Sequence, residues 1–188
     1  MDEQKKNVTN LPFVPILGEG GILGSDTRNA NPKCLSRDRE MLFKQAIKAL
    51  KYCKKRNLTD DQIAQYRISL VVGEPRIYFP YWDERGCINF YCGRLYTDIN
   101  APKTMEPVDC DKPLFGRHIE KLNDKVVLVE GIFDKIATPC SYAMMGSSIT
   151  EYQINMLKKD KVNHVYVMGD PDAQAKTIRN AKLLRNRG

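Results

Sequence analysis

Val126-Val127-Leu128-Val129-Glu130-Gly131-Ile132-Phe133-Asp134 is the stretch on which the fold turns. Four apolar residues, three of them β-branched, run without a polar interruption, as expected of a parallel strand buried on both faces. A short helix should follow. The same rhythm continues downstream, with a strand at Tyr142 to Met145 and a glycine-serine link, Gly146-Ser147-Ser148. Thr150-x-x-Gln153 has the form of a capping box opening a helix whose inner face uses Ile154 and Leu157. His164 to Met168 reads as a third strand and Asp172 to Arg185 as a last helix. Repeated β-α-β units with short links imply a parallel sheet covered by helices.

Ligands of open parallel sheets bind at the carboxyl ends of the strands, where loops and helix N-termini converge. The first strand ends in Glu130-Gly131, and the third runs into Gly169-Asp170-Pro171-Asp172. Glu130, Asp170 and Asp172 are therefore expected at one sheet edge, with Asp134 one turn beyond Glu130. Clustered carboxylates repel one another, and a cation relieves the repulsion. Magnesium suits a site built from a few carboxylates, waters and substrate phosphates. Each acid alone has a structural reading, since Glu130 could cap a helix and Asp170 to Asp172 could form an N-cap turn. Gly146-Ser147-Ser148 offers amides to an anion, or is a turn with no ligand.

Upstream the pattern differs. Residues 1–35 carry Pro12, Pro15, Pro32 and Gly18-Glu19-Gly20-Gly21, and read as a wrapping arm without regular structure. From Ser36 to Arg56, Phe43, Ile47 and Leu50 recur at helical spacing with Ala46, Ala49 and Cys53 on the same side. Lys44, Lys48, Lys51, Lys54 and Lys55 decorate the remainder, a pattern shared by solvated helix faces and nucleic-acid contacts, with the solvated face favoured. Asn57 ends that helix, and Thr59-Asp60-Asp61-Gln62 is a second capping box. Ile68 to Val72, Arg76 to Tyr81 and Cys87 to Arg94 are β-rich runs separated by turn residues, expected to form an antiparallel sheet. Thr97 to Lys112 is a long connection. The expected class is α/β: an α+β N-terminal lobe over 36–122, then a parallel-sheet lobe over 123–188.

Across 188 residues, 30 Lys and Arg against 23 Asp and Glu give +7, which favours an anionic partner such as nucleic acid. No segment approaches the roughly 18 apolar residues that span a bilayer, and residues 1–10 lack the apolar core of a secretory signal, so a cytoplasmic protein without a membrane partner is expected. The six cysteines include no Cys-x-x-Cys knuckle, and the two histidines lie far apart, so no zinc is expected in this chain.

Glu130-Gly131-Ile132-Phe133-Asp134 after one strand and Asp170-Pro171-Asp172 after another resemble the Toprim domain of bacterial-type primases, topoisomerases and some nucleases. Tyr66-Arg67-Ile68, Arg76-Ile77-Tyr78-Phe79-Pro80, Asp83, Gly86, Phe90, Gly93-Arg94, Pro102-Lys103 and Leu114-Phe115-Gly116 follow the order seen in the bacterial-type primase polymerase core. The resemblance, from about Ser36 to Arg185, implies a DNA primase catalytic core making RNA primers on single-stranded DNA from ribonucleoside triphosphates. It implies that Glu130, Asp170 and Asp172 hold magnesium, for which manganese can substitute, with Asp134 in support. Arg67, Arg76, Arg94 and Lys103 would contact template or nucleotide phosphates. A noncatalytic single-stranded nucleic-acid-binding Toprim protein and a Toprim nuclease are the rival readings. A topoisomerase is disfavoured, because none of the nine tyrosines has a context marking it as a nucleophile. Gln174-Ala175 stand where the family commonly has Ala-Gly. With no zinc ribbon ahead of the core and Gly188 ending it early, the resemblance points to a shortened, phage-like primase in the host cytoplasm. A completing subunit or replicative helicase is its implied partner.

Overall fold

The computed structural model describes residues 12–23 and 37–187. The chain divides into two compact units, Met1–Cys110 and Asp111–Gly188.

In the first unit a long helix, α1 (Arg37–Lys55), is followed by a single-turn helix, α2 (Asp60–Gln65). The left-handed backbone at Asn57, φ 61°, turns the chain between them. The Thr59 hydroxyl accepts from Gln62 N–H at 3.1 Å, and Gln62 Oε1 accepts from Thr59 N–H at 2.9 Å, completing the expected capping box. The strands are β1 (Val14–Pro15), β2 (Ser69–Leu70), β3 (Arg76–Trp82), β4 (Ile88–Leu95) and β5 (Thr104–Met105). They form an antiparallel sheet in sequence order. Asp83 Oδ1 accepts from the amides of Arg85 and Cys87, which closes the β3–β4 turn. Tyr78 lies opposite Gly93, where a Cβ would stand 2.9 Å from the Tyr78 ring, so that position excludes a side chain.

Two expectations for this unit are corrected. The described part of the arm, residues 12–23, contributes β1, and Phe13 packs its ring 5.2 Å from Tyr78 and 5.6 Å from Tyr91. Residues 1–11 and 24–36 lie outside the described residues. On α1 the buried stripe is Leu42, Ala46, Ala49 and Cys53, while Phe43 and Leu50 are half-buried and Ile47 is 40% exposed. The small side chains on that stripe let the helix backbone close against the sheet, which bulkier residues would hold off.

Burial pushes the Cys53 thiol up to about 12. Cys87 and Cys140 are exposed. Thiolate is the reactive form, so iodoacetamide at pH 8 should label Cys87 and Cys140 in the native protein and Cys53 only after unfolding, as read by peptide mass mapping.

The second unit carries a parallel sheet of order β7-β6-β8, built from β6 (Lys125–Val129), β7 (Ser141–Ala143) and β8 (His164–Val167). Helices α3 (Ile132–Ala137), α4 (Glu151–Lys159) and α5 (Gln174–Arg187) follow the three strands, and a 3₁₀ turn, Pro171–Ala173, leads into α5. The expected box at Thr150 and Gln153 is present, and Ile154 and Leu157 are buried. Gln153 does more than cap, because its buried Nε2 also donates to Pro113 O at 3.1 Å and Met144 O at 2.8 Å. Residues 111–122, assigned from sequence to the first lobe, are held in this unit: Phe115 bridges Ala143, and Leu122 N–H donates to the Tyr142 hydroxyl. The sheet is less covered than expected, since Tyr166 on β8 and Met168 just beyond it are 55% and 48% exposed.

Candidate metal centre and basic cluster

The register pairs Leu128 on β6 with Val167 on β8. Carried two residues further, it sets Glu130 beside Gly169, as the ladder bond from Met168 N–H to Leu128 O at 2.8 Å requires. Gly169 is a contact point: a Cβ there would lie 3.2 Å from Glu130 Oε1 and 2.2 Å from Thr177 Oγ1. The carboxylate of Glu130 therefore leans over the turn that begins Asp170-Pro171-Asp172.

The structural alternatives for these acids are unfilled. Gly131 is the N-cap of α3, and Asp134 Oδ2 accepts its N–H at 3.0 Å, so the capping role belongs to Asp134. Asp170 is the N-cap of the 3₁₀ turn, yet its side chain makes no capping hydrogen bond. Among the described residues Glu130, Asp170 and Asp172 make no hydrogen bond or ion pair through their carboxylates, and both aspartates are exposed. No group of three His, Cys, Asp or Glu is drawn tightly enough among the described residues to enclose an ion. Three unpartnered carboxylates on neighbouring strand ends, with Gly169 between them and the Thr177 hydroxyl close against it, still suit magnesium, which keeps waters and needs no all-protein cage.

Two groups here have no local sequence signal. Lys112 Nζ donates to Met145 O at 2.9 Å and stands 3.9 Å from where a Gly146 Cβ would be. Because Gly146 N–H donates to Glu130 O, this places a cation at the same edge as the acids. Asn180 on α5 is 2% exposed; its Oδ1 accepts from Ile149 N–H at 3.2 Å and its Nδ2 donates to Ser147 O at 3.1 Å. It ties α5 to the link after β7. Asn180→Ala strands two backbone groups and should lower stability by about 1–3 kcal/mol in urea unfolding.

In the first unit, three of the four expected basic residues come together. Arg94 donates to Thr104 Oγ1 at 3.2 Å, and Lys103 O accepts from Leu95 N–H at 3.0 Å, so Arg94 and Lys103 stand at one end of β4. Arg76 is 7% exposed and its guanidinium donates to Pro102 O at 2.5 Å and Lys103 O at 3.4 Å. Its visible work is to clamp the loop that presents Lys103. Arg67 lies apart, with its guanidinium 4.7 Å above the Trp82 ring at the far end of β3, about 20 Å along the strand from Arg76.

No protein-family model matches the chain. By structure it is similar to the E. coli primase catalytic core, with a TM-score of 0.59 and 20% identity over 72% of this chain and 59% of that one. The DnaG primase catalytic domain bound to single-stranded DNA gives a TM-score of 0.58 and 21% identity over 73% of this chain and 60% of that one. The fold is that of the DnaG primase catalytic core. Its sequence is 30% identical over 130 residues to a DNA primase of Staphylococcus epidermidis, which covers 60% of this chain and 21% of that protein. The chain thus spans about a fifth of the length of the curated primase it matches. Among the described residues no helix is long and apolar enough to cross a membrane.

Proposed function

We propose that this chain is a primase-type nucleotidyltransferase core, extending an RNA primer on single-stranded DNA with ribonucleoside triphosphates. The observation that supports this most is the Glu130 carboxylate leaning over Gly169 at the head of Asp170-Pro171-Asp172, on a sheet edge of the primase-core fold. In this reading Glu130, Asp170 and Asp172 hold magnesium or manganese, which when bound neutralises phosphate charge and orients the triphosphate. Asp134 positions Glu130 by fixing the Gly131 amide. Lys112 supplies a positive charge to the phosphates at the same edge. Arg94 and Lys103 bind strand or nucleotide phosphates, Arg76 holds Lys103 in place, and Arg67 provides a separate contact.

In the reaction, the primer 3′-hydroxyl oxygen bonds to the α-phosphorus, the bond to the bridging oxygen breaks, pyrophosphate leaves and the hydroxyl proton passes to water. Positioning and charge neutralisation supply most of the acceleration of such a transfer, so no covalent protein intermediate is needed.

The test is incorporation of labelled ribonucleotides on an unprimed and an RNA-primed single-stranded template, with magnesium and with manganese. Template-dependent product that disappears with chelator supports the reading. Absence of product with intact strand binding would favour a noncatalytic binding protein, and metal-dependent loss of the template would favour a nuclease.

A further inference from the structure

Thr177, in the first turn of α5, has a hydroxyl with a single partner among the described residues: Oγ1 donates to Ala173 O at 3.2 Å. That bond uses its only proton. A Cβ at Gly169 would stand 2.2 Å from Thr177 Oγ1 and 3.2 Å from Glu130 Oε1, so both oxygens crowd the same point of the backbone. They are separated by no more than the sum of those distances, and no hydrogen bond joins them. Glycine at 169 is what admits the hydroxyl, since any side chain there would occupy its place.

The helix itself gives no reason for threonine here. Threonine is a middling helix former, and a hydroxyl bonded back to the carbonyl four residues earlier slightly destabilises a helix. A valine would fill the same half-buried volume without setting an oxygen against a carboxylate. With its proton spent, the hydroxyl presents only lone pairs toward Glu130, whose ionised carboxylate is also an acceptor alone. Two acceptors facing each other repel unless a donor lies between them. A water on a cation meets that need, because the ion's charge makes its protons strong donors and one water reaches an oxygen at about 2.7–2.8 Å on either side. Asn180, three residues further along α5, holds the helix in register through its bonds to Ile149 N–H and Ser147 O, so Thr177 is kept at this distance from the strand end.

We propose that Thr177 is a positioning residue of the metal centre: its hydroxyl oxygen accepts a hydrogen bond from a water on the divalent ion held by Glu130, Asp170 and Asp172. The inference rests on the metal-centre assignment within the primase reading and extends it to a neutral residue on a separate helix. By anchoring the hydration shell, Thr177 raises affinity for the ion and fixes its place beside Glu130. It acts through that water and takes no part in the bond changes at phosphorus.

The experiment measures manganese affinity of the full chain from the electron paramagnetic resonance signal of the free ion, beside urea unfolding of the same samples. It compares wild type, Thr177→Val, Thr177→Ala, Thr177→Ser and Glu130→Gln. The valine and alanine variants should raise the manganese dissociation constant about tenfold, whereas serine, which keeps the oxygen, should stay within about twofold of wild type. Their unfolding midpoints should nearly coincide with that of wild type, because the lost bond to Ala173 O contributes little to the helix. Manganese affinity unchanged in both the valine and alanine variants overturns the assignment. Serine binding as weakly as valine also overturns it, because the hydroxyl is then not what matters. So does a loss of affinity that follows a loss of stability across the three Thr177 variants, which would make the residue structural. Failure of the parent reading is separately visible: wild type binding manganese no better than Glu130→Gln removes the metal centre and Thr177 with it. Affinity lost in Glu130→Gln and retained in Thr177→Val and Thr177→Ala removes the role of Thr177 alone.

Discussion

Asp170→Ala should reduce ribonucleotide incorporation by at least about 100-fold and weaken manganese binding by a similar factor, with the unfolding midpoint nearly unchanged. The stability expectation follows from the side chain's surroundings. Asp170 is exposed, its carboxylate caps nothing, and the turn is held by its main-chain oxygen, which accepts from Ala173 N–H at 2.8 Å and is kept by alanine. A residue whose loss costs activity and metal affinity but not stability is one placed for a ligand. Glu130→Gln should behave alike, because the change keeps size and removes only the charge that faces the Gly169 turn. Titration with manganese followed by electron paramagnetic resonance, beside urea unfolding of the same samples, reads both quantities. A loss of stability without loss of metal affinity would return these acids to a structural role.

Arg117→Ala should have the largest effect on stability, about 3–5 kcal/mol in urea unfolding, with Asp160→Ala comparable. Arg117 Nε and a terminal guanidinium nitrogen meet the two oxygens of Asp160 at 2.5 and 2.6 Å, and the side chains are only 10% and 7% exposed. Removing one partner leaves a charge in a place water hardly reaches, and that stranded charge, more than the lost attraction, sets the size of the effect. Asp160 is also the C-cap of α4, so the pair fixes where the helix after β7 ends. Arg117→Ala/Asp160→Ala together should recover part of the loss, because no unpaired charge remains. If either single variant unfolds like wild type, the pair is solvated in solution and contributes little.

What could be read from the sequence was local. Capping boxes at Thr59 and Thr150 involve residues three apart, and the apolar run at 126–129 is a strand by its own composition, so each appears in the structure where expected. The β-α-β rhythm puts the acids at the carboxyl ends of parallel strands, while the adjacency of β6 and β8 comes from the strand order β7-β6-β8, which the rhythm does not fix. The features that escaped link distant residues. Arg76 reaches carbonyls 26 and 27 residues away, Asn180 an amide 31 residues away, Lys112 a carbonyl 33 away and Arg117 a carboxylate 43 away. No periodicity encodes such contacts. The inner face of α1 was read in part: Ala46, Ala49 and Cys53 are buried as expected, but Leu42 completes the stripe while Phe43 and Leu50 are half-buried and Ile47 is exposed, because how closely a helix approaches the sheet is a tertiary property. Val14–Pro15 sits in a proline-rich segment, and its pairing with β2 across more than fifty residues leaves no signature in the strand itself.

The most direct measurement is anomalous diffraction from crystals of the protein grown with manganese. A peak within coordination distance of Glu130 and of Asp170 or Asp172, absent from Glu130→Gln crystals grown alike, is the result expected. Manganese bound elsewhere, or a well-ordered Glu130 and Asp170 with no peak between them at saturating metal, would contradict the assignment of these acids as the metal centre.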